Sequence, residues 1–166
     1  RGQPRDPLVL SALRIIPGCQ AREDVDLRAT PAIGRLVTHA DPRSPVAEAY
    51  RSLRTNLAFA RAHTDLRTPV LTSPGPADGK STTIANLAIT FAQQGQRTLV
   101  VDADLRRAVL DKTFSVPRSP GLTDVILGTT SLRDAVNASE VPNLSVLGSG
   151  HFPPNPSELL GSPGMR

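Results

Sequence analysis

The most constraining feature of this sequence is a Gly/Pro-rich loop that separates a strand-forming run from a helix-forming one. The run is Pro69–Ser73, the loop ends in the string Gly79–Thr82, and the helix pattern continues to about Gln94, before Gly95. In such a setting, backbone N–H groups of the loop and of the helix N-terminus converge on phosphate oxygens. The sequence therefore predicts a P-loop, which binds the phosphates of a nucleoside triphosphate.

Each position of the predicted P-loop has its own chemical role. Gly79 lets the backbone approach the phosphates, the Lys80 ammonium reaches the β- and γ-phosphates, and the Ser81 hydroxyl ligates Mg²⁺. In the usual pattern a glycine stands where this chain has Pro74, and we expect the adjacent Gly75 to supply the turn. The predicted phosphate cradle comprises Gly75, Ala77, Asp78, Gly79, Lys80, Ser81 and Thr82.

An acidic pair follows the next predicted strand. The apolar run Thr98–Asp102 ends in an acid, and Asp104 stands two residues further. In open α/β sheets, ligands bind outside the carboxyl ends of such strands. Two carboxylates there can hold Mg²⁺ or its waters, and one can accept a proton from an attacking hydroxyl. Asp-x-Asp alone is usually a turn or a helix cap, so this interpretation depends on the P-loop upstream.

Residues 44 to about 63 have the pattern of an amphipathic helix. Ser44 is a predicted N-cap, and Pro45 is the first helical residue. The apolar stripe predicted to face the core consists of Val46, Ala49, Tyr50, Leu53, Leu57 and Ala60.

Three charged residues of this helix, Glu48, Arg51 and Arg54, project away from the apolar stripe. Such charges are typical of a solvated face, where ion pairs contribute little to stability. An ion-pair seam between subunits is the alternative interpretation.

The remaining pattern predicts an α/β fold. Two short helices are expected around Gly128 within residues 121–138, a third strand at Leu144–Leu147, and a helix with a capping box that begins at Asn155. Because strand patterns alternate with helix patterns, we expect a mainly parallel sheet with helices on both faces.

Composition limits the classes of partner. The 166 residues are 39% hydrophobic, enough for one domain, and no apolar run approaches the about 18 residues of a membrane span. Cys19 is the single cysteine, which excludes an internal disulfide.

The net charge of +4 arises within residues 1–68, which suits an anionic membrane surface or an acidic partner. A solvated Arg-rich surface is the alternative. Nucleic acid is not expected, because aromatic residues do not interleave with the arginines.

Four stretches of the chain occur in an order that is more specific than any one of them. They are Ser44–Leu57, Thr72–Thr83, Val101–Arg107 and Pro153–Leu160. Together they closely resemble the cytoplasmic kinase domain of the bacterial tyrosine kinases (BY-kinases) that serve capsule and exopolysaccharide synthesis. The resemblance covers residues 44–166.

The resemblance implies an ATP-dependent protein-tyrosine kinase on a P-loop NTPase-like scaffold, similar to the MinD/ParA-type ATPases. It implies catalytic roles for Lys80, Asp102 and Asp104. It also implies that Ser81, together with the two aspartates, holds the Mg²⁺ that accompanies ATP.

The resemblance further implies a ring-like homo-oligomer, and it moves Glu48, Arg51 and Arg54 from a solvated face to the subunit interface. The implied substrate is a tyrosine cluster of a neighbouring subunit, and the implied partner is a membrane-spanning polysaccharide chain-length regulator, fused or separate. Residues 1–43 are then a juxtamembrane or linker arm at the inner face of the cell membrane.

In this interpretation, residues 44–166 are the N-terminal part of the kinase domain. The third nucleotide motif and the tyrosine cluster are expected downstream of Arg166, so the domain is incomplete at its C-terminus and this piece alone is inactive. A MinD/ParA-like ATPase that switches oligomeric state without phosphorylating tyrosine is one alternative. A non-catalytic, nucleotide-bound scaffold of the polysaccharide machinery is another.

Overall fold

The computed structural model describes residues 32–62, 67–73 and 78–165. Most of the predicted N-terminal arm, residues 1–31, lies outside this set, as do Gly75 and Ala77 of the predicted phosphate cradle. The described chain divides into two compact units. The first contains Gly34–Thr90, and the second contains Phe91–Arg166 together with Pro31–Ile33.

The N-terminal part of the described chain is helical. After a 3-10 turn at Ala32–Arg35 come α1 (Val37–Ala40), α2 (Pro45–Ala62) and α3 (Lys80–Gln93). The start of α2 is confirmed, because the Ser44 hydroxyl accepts the Ala47 amide at 3.2 Å. The stripe predicted to face the core is confirmed at its centre, where Tyr50 and Leu53 are at most 5% exposed, and its other four residues are half-buried.

A buried polar contact joins α1 to α3. The Thr38 amide and hydroxyl donate to Asn86 Oδ1 at 3.0 and 2.9 Å, and Asn86 Nδ2 donates to Thr82 O at 2.9 Å. Thr38 and Asn86 are both fully buried, so these bonds satisfy groups that water cannot reach. The end of the predicted arm therefore packs on the helix that follows the P-loop.

The strand predicted at Pro69–Ser73 is wrong. Residues 67–73 have no regular secondary structure, and Val70 is 86% exposed. A strand requires a ladder of backbone hydrogen bonds, and Pro69 has no N–H to donate to one. No residue of this described segment enters such a ladder.

The second unit is built on a three-stranded mixed sheet. Its strands are β1 (Thr98–Val101), β2 (Val136–Ala138) and β3 (Leu144–Leu147), in the order β1-β3-β2. As predicted, β1 runs parallel to β3, with Val100 opposite Val146. The antiparallel β2 differs from the sequence prediction, which places residues 136–138 in a helix. Three residues are too few to display the alternation that predicts a strand.

Short helices surround this sheet: α4 (Leu110–Thr113), α5 (Leu122–Ile126), α6 (Leu132–Ala135) and α7 (Pro156–Leu160), followed by a 3-10 turn at Pro163–Met165. A buried cluster of Leu105, Leu122, Ala135 and Leu147 forms the core between them. The fold is thus α/β, as predicted. In the described part of the chain, no helix has both the length and the apolar character that a bilayer crossing requires.

The helix predicted to begin at Asn155 is present, but the hydrogen bonds of the predicted capping box are not formed. Asn155 is the N-cap of α7 and Pro156 its first residue, but the Asn155 side chain caps no backbone amide. Its Nδ2 donates instead to Glu158 Oε2 at 3.0 Å. The two side chains that should each reach the backbone therefore bind each other.

Candidate functional site

The end of the P-loop has the backbone geometry of an anion-binding helix start. Gly79 has a φ of +80°, and an added Cβ would meet no atom within 4 Å, so the requirement for glycine is conformational rather than steric. Gly79 O accepts the Thr83 amide at 2.8 Å, which begins the hydrogen bonding of α3. The amides of residues 80–82 precede this bond and lie at the positive end of the helix dipole.

Lys80, the first residue of α3, reaches back across the loop. Its ammonium donates to the Ser73 hydroxyl at 2.9 Å, and the side chain is half-buried. Ser81 is half-buried beside it, whereas Asp78 and Thr82 are exposed. The structure thus places these predicted residues together at the start of one helix.

The carboxylate of Asp102 binds three backbone amides at the end of β1. Its Oδ2 accepts the amides of Val109 and Leu110 at 3.0 and 2.9 Å, and its Oδ1 accepts the Asp104 amide at 3.2 Å. Asp102 is only 4% exposed. This side chain therefore fixes the segment that leads from β1 to α4, in addition to any chemical role.

Burial raises the pKa of Asp102 above its ordinary value. The hydrogen bonds from Leu110, Asp104 and Val109 lower the pKa, and the nearby charge of Asp104 raises it again, so the net shift is upward. A carboxylate with a raised pKa binds a proton more tightly once it is ionised.

Asp104 differs from Asp102 in its exposure and in its contacts. Its side chain is exposed, and its Oδ1 accepts the amides of Arg106 and Arg107 at 3.1 and 2.9 Å. These bonds form a local turn of the kind that an Asp-x-Asp sequence usually makes. Both predicted aspartates lie at the carboxyl end of β1, as the sequence indicated, one buried and one facing solvent.

The three charged residues of α2 all have partners within the first unit. Glu48 and Arg51 form an ion pair at 2.7 Å, with side chains 65% and 28% exposed, and Arg51 also donates to Pro42 O at 2.7 Å. Arg54 donates to Thr90 O of α3 at 2.9 Å. The helical periodicity placed Arg54 with an outward-facing group, but its long side chain extends to the neighbouring helix.

A polar cluster that the sequence did not reveal lies beyond β3. Asp124 Oδ1 is 3.0 Å from His151 Nδ1, and Asp124 Oδ2 accepts the Gly121 amide at 2.8 Å and the Ser119 hydroxyl at 3.2 Å. Burial acts to raise the pKa of Asp124, but the bonds from His151, Gly121 and Ser119 outweigh it and the pKa is lowered. Because 27 residues separate Asp124 from His151, no local pattern predicts their contact.

This cluster lacks the geometry of a nucleophilic relay. The Ser119 hydroxyl lies 3.2 Å from Nδ1 of His151, the same ring nitrogen that Asp124 contacts. A relay needs the nucleophile on one ring nitrogen and the carboxylate on the other. The three side chains, the Asp124 clamp, therefore link α5 to the loops that contain Ser119 and His151.

Comparison with known proteins is consistent with this geometry. Residues 70–140 match the family model described as the CobQ/CobB/MinD/ParA nucleotide binding domain. The tyrosine-protein kinase YwqD of Bacillus subtilis (strain 168) is 44% identical over 131 residues, which are 79% of this chain and 55% of that protein. The putative tyrosine-protein kinase CapB of Staphylococcus aureus is 38% identical over 130 residues, 78% of this chain and 57% of that protein.

Among solved structures, the BceF tyrosine kinase domain superposes with a TM-score of 0.73 at 41% identity, over 78% of this chain and 52% of that one. The chain spans about half the length of the curated relatives it matches. Over most of its length the chain is therefore similar to the bacterial tyrosine kinases (BY-kinases), and residues 70–140 match the MinD/ParA-type nucleotide-binding domain.

Proposed function

We propose that the protein is an ATP-dependent protein-tyrosine kinase, which autophosphorylates in trans and regulates the synthesis and export of capsular or exopolysaccharide chains. The observation that carries this proposal is the left-handed Gly79 at the start of α3, followed by Lys80 and Ser81, in a relative of tyrosine-protein kinases.

In this proposal, the P-loop holds the phosphates of ATP. The amides of residues 80–82 donate to phosphate oxygens at the start of α3, and Lys80 supplies the positive charge. Its contact with Ser73 supports this role, because it keeps the ammonium beside the loop. Gly75, Ala77, Asp78 and Thr82 complete the proposed cradle.

The proposed metal is Mg²⁺, with Ser81, Asp102 and Asp104 as the groups that hold it directly or through water. Their oxygen donors are the type that Mg²⁺ prefers. In the described part of the chain, no group of three or more His, Cys, Asp or Glu side chains could hold a metal by itself. Mg²⁺ usually keeps several waters and binds through one or two carboxylates plus substrate phosphates. When bound, the ion neutralises charge on the phosphates.

The proposed role of the two aspartates extends to the tyrosine hydroxyl. In this proposal Asp102 or Asp104, at the carboxyl end of β1, accepts the proton of the tyrosine hydroxyl, and the exposure of Asp104 supports a function towards the metal or its waters. Lys80 completes the proposed catalytic set.

The proposed assembly is a ring-like homo-oligomer joined through Glu48, Arg51 and Arg54, in which each subunit phosphorylates a tyrosine cluster of its neighbour. We further propose a membrane-spanning chain-length regulator as partner, which places the protein at the cytoplasmic face of the membrane. The basic excess of residues 1–68 supports that location.

A MinD/ParA-like ATPase without kinase activity is the second candidate, because the matching family model describes a nucleotide-binding domain rather than a kinase. One experiment separates the two. The full-length protein is incubated with Mg²⁺ and γ-labelled ATP, and label on tyrosine is compared with label released as free phosphate. A kinase labels tyrosine, and a switching ATPase releases phosphate alone. A protein that binds ATP and does neither is a scaffold.

A further inference from the structure

The guanidinium of Arg118 is held on two sides in the loop that follows α4. Its Nε donates to Asp111 Oδ2 at 3.0 Å. Its carbon Cζ lies 4.9 Å from the centroid of the Phe152 ring, within the range of a cation–π contact. A residue of α4 and a residue of the loop after β3 therefore fix the orientation of this side chain.

Asp111 anchors Arg118 in this position. The Asp111 side chain is only 9% exposed, and its Oδ1 has no hydrogen-bond partner among the described residues. A buried carboxylate needs a cation beside it, because an unpaired buried charge is strongly unfavourable. Arg118 is the cation that contacts Asp111, so the guanidinium stays beside α4.

The end of the guanidinium that points away from Nε is available to a ligand. A carboxylate or a phosphate can bind Nη1 and Nη2 together through two parallel hydrogen bonds. Asp111 occupies Nε, and in the described part of the chain neither Nη of Arg118 donates a hydrogen bond. The Arg118 side chain is 33% exposed, and Phe152 beside it is 50% exposed. The pair thus presents a fixed positive charge next to apolar surface.

Arg118 lies at the same edge of the sheet as the two aspartates of the candidate site. Strands β1 and β3 are parallel, so their carboxyl ends meet at one edge. Asp102 follows β1, and its amide donates at 2.9 Å to the carbonyl of Leu147, the last residue of β3. The Arg118 carbonyl accepts the Gly150 amide at 3.0 Å, just beyond that end of β3. Ligands of open α/β sheets bind at this edge.

The segment that holds Arg118 is also the one that Asp102 organises. Asp102 Oδ2 accepts the Leu110 amide at 2.9 Å, and Asp111 is the next residue of α4. The carboxylate of Asp102 and the guanidinium of Arg118 are therefore connected through two adjacent residues. Direct hydrogen bonds define how far apart they lie.

We propose that Arg118 is a specificity-determining residue, which binds an oxyanion of the peptide that carries the target tyrosine. The oxyanion is the carboxylate of an acidic side chain or the phosphate of a tyrosine that is already phosphorylated. Phe152 supplies apolar surface for the same peptide. The inference rests on the proposed function, and it adds to that function a preference for acidic substrates.

The test compares peptides that differ only in charge. Each contains one acceptor tyrosine, and each position around it carries in turn glutamate, glutamine or phosphotyrosine. The full-length protein phosphorylates them with γ-labelled Mg-ATP, and kcat/KM is measured at low and at high salt. The readout is the ratio between an anionic peptide and its glutamine counterpart. A change that merely disturbs the nucleotide site lowers both values and leaves this ratio unchanged.

Three variants are compared with the wild type. Arg118→Lys keeps a cation beside Asp111 but lacks the paired Nη donors. Arg118→Gln combined with Asp111→Asn removes both charges, so neither is left buried and unpaired. Arg133→Gln removes the charge of an exposed arginine of α6 and is the matched control for net charge.

We expect the wild type to prefer the anionic peptide by about 5- to 10-fold at low salt, and by less at high salt. Arg118→Lys should lose most of this preference and the double variant all of it, with the glutamine peptides phosphorylated as by the wild type. Arg133→Gln should keep the preference. A larger ratio for phosphotyrosine than for glutamate identifies phosphate as the ligand, and the reverse order identifies the carboxylate.

The proposal is overturned if the wild type prefers neither anionic peptide, or if Arg118→Lys and the double variant both keep the preference. An equal loss in Arg133→Gln would also overturn it, because the preference would then come from net charge. A wild type that phosphorylates no peptide contradicts the proposed function instead. Equilibrium binding of the same peptides, labelled with a fluorophore, then tests Arg118 independently, with the same ratios expected between the dissociation constants.

Discussion

Asp102 Oδ2 accepts the backbone amide of Leu110 at 2.9 Å, eight residues further along the chain. The same oxygen accepts the amide of Val109, so one buried carboxylate organises the connection from β1 to α4. Asp104 has only local contacts and is exposed. The two aspartates of one short motif are therefore separable by mutation.

Replacing each aspartate by asparagine should change the free energy of unfolding by different amounts. Asp102→Asn loses its charge and points an NH₂ group at a backbone donor, so we expect the free energy of unfolding to fall by about 1–3 kcal/mol. Asp104→Asn keeps an oxygen for the amides of Arg106 and Arg107 and should stay within about 0.5 kcal/mol of the wild type. Chemical denaturation measures both values, and equal losses would contradict the distinction.

In the full-length protein, Asp104→Asn should also reduce phosphoryl transfer much more than MgADP affinity. Its proposed contribution is made mainly in the transition state. Single-turnover kinetics and equilibrium binding give the two quantities, and parallel losses would indicate a ground-state role instead.

Gly79→Ala tests the P-loop conformation, with Gly128→Ala as a matched control. Both glycines have a positive φ, +80° and +73°, and both have open space where a Cβ would be added. Each variant should therefore lose about 1–2 kcal/mol of unfolding free energy from backbone strain. Only Gly79→Ala should lose nucleotide affinity. An equal loss of affinity in Gly128→Ala would mean that the effect is general.

The Asp124 clamp should make the free energy of unfolding depend on pH in the acidic range. Its folded-state pKa is below the ordinary value of 3.8, so the folded protein favours the ionised carboxylate. The resulting stability is fully present above that value and is lost as the pH falls through it towards the folded-state pKa. Asp124→Asn should be less stable than the wild type at pH 6, and the difference should narrow below about pH 4. Denaturation midpoints from pH 3 to 7 measure this, and parallel curves would argue against the clamp.

Removing Glu48 and Arg51 together should affect assembly and leave the fold intact. Their exposed pair stabilises the subunit by about 0.2–1 kcal/mol, so the double alanine variant should unfold nearly as the wild type does. Sedimentation of the full-length protein should show smaller species. Arg133→Ala, which removes an exposed arginine of α6, is the control and should sediment unchanged. If the double variant sediments with the wild type, the two residues are a solvated face.

Features that depend on local periodicity could be predicted from the sequence. The apolar stripe of α2, the start of α3 at Lys80 and the strand β3 each leave a pattern within a few residues. Strands that depend on a distant partner could not be predicted. An apolar run at Pro69–Ser73 forms no strand, and Val136–Ala138 forms one only because β3 lies beside it.

The candidate site could likewise be predicted only where it depends on a local sequence pattern. The positions of Lys80 and Asp102 in the chain follow from motifs. The burial of Asp102 and its hydrogen bond from the Leu110 amide depend on how the segment between β1 and α4 folds back against the end of β1. The contact of Arg54 with Thr90 spans 36 residues and depends on where α3 ends. Helical periodicity gives the direction of a Cβ, not the reach of an arginine.

A mixing experiment measures directly the proposed phosphoryl transfer from the P-loop to a tyrosine of a neighbouring subunit. Full-length Lys80→Met is mixed with a size-tagged wild type and Mg-ATP, and phosphotyrosine is detected on each species. Lys112→Met, which removes an exposed lysine of α4, is the control and should autophosphorylate normally. We predict that Lys80→Met alone stays unlabelled and gains phosphotyrosine only when the wild type is present. Phosphotyrosine on Lys80→Met alone at the wild-type level, or none on any species, would contradict the account.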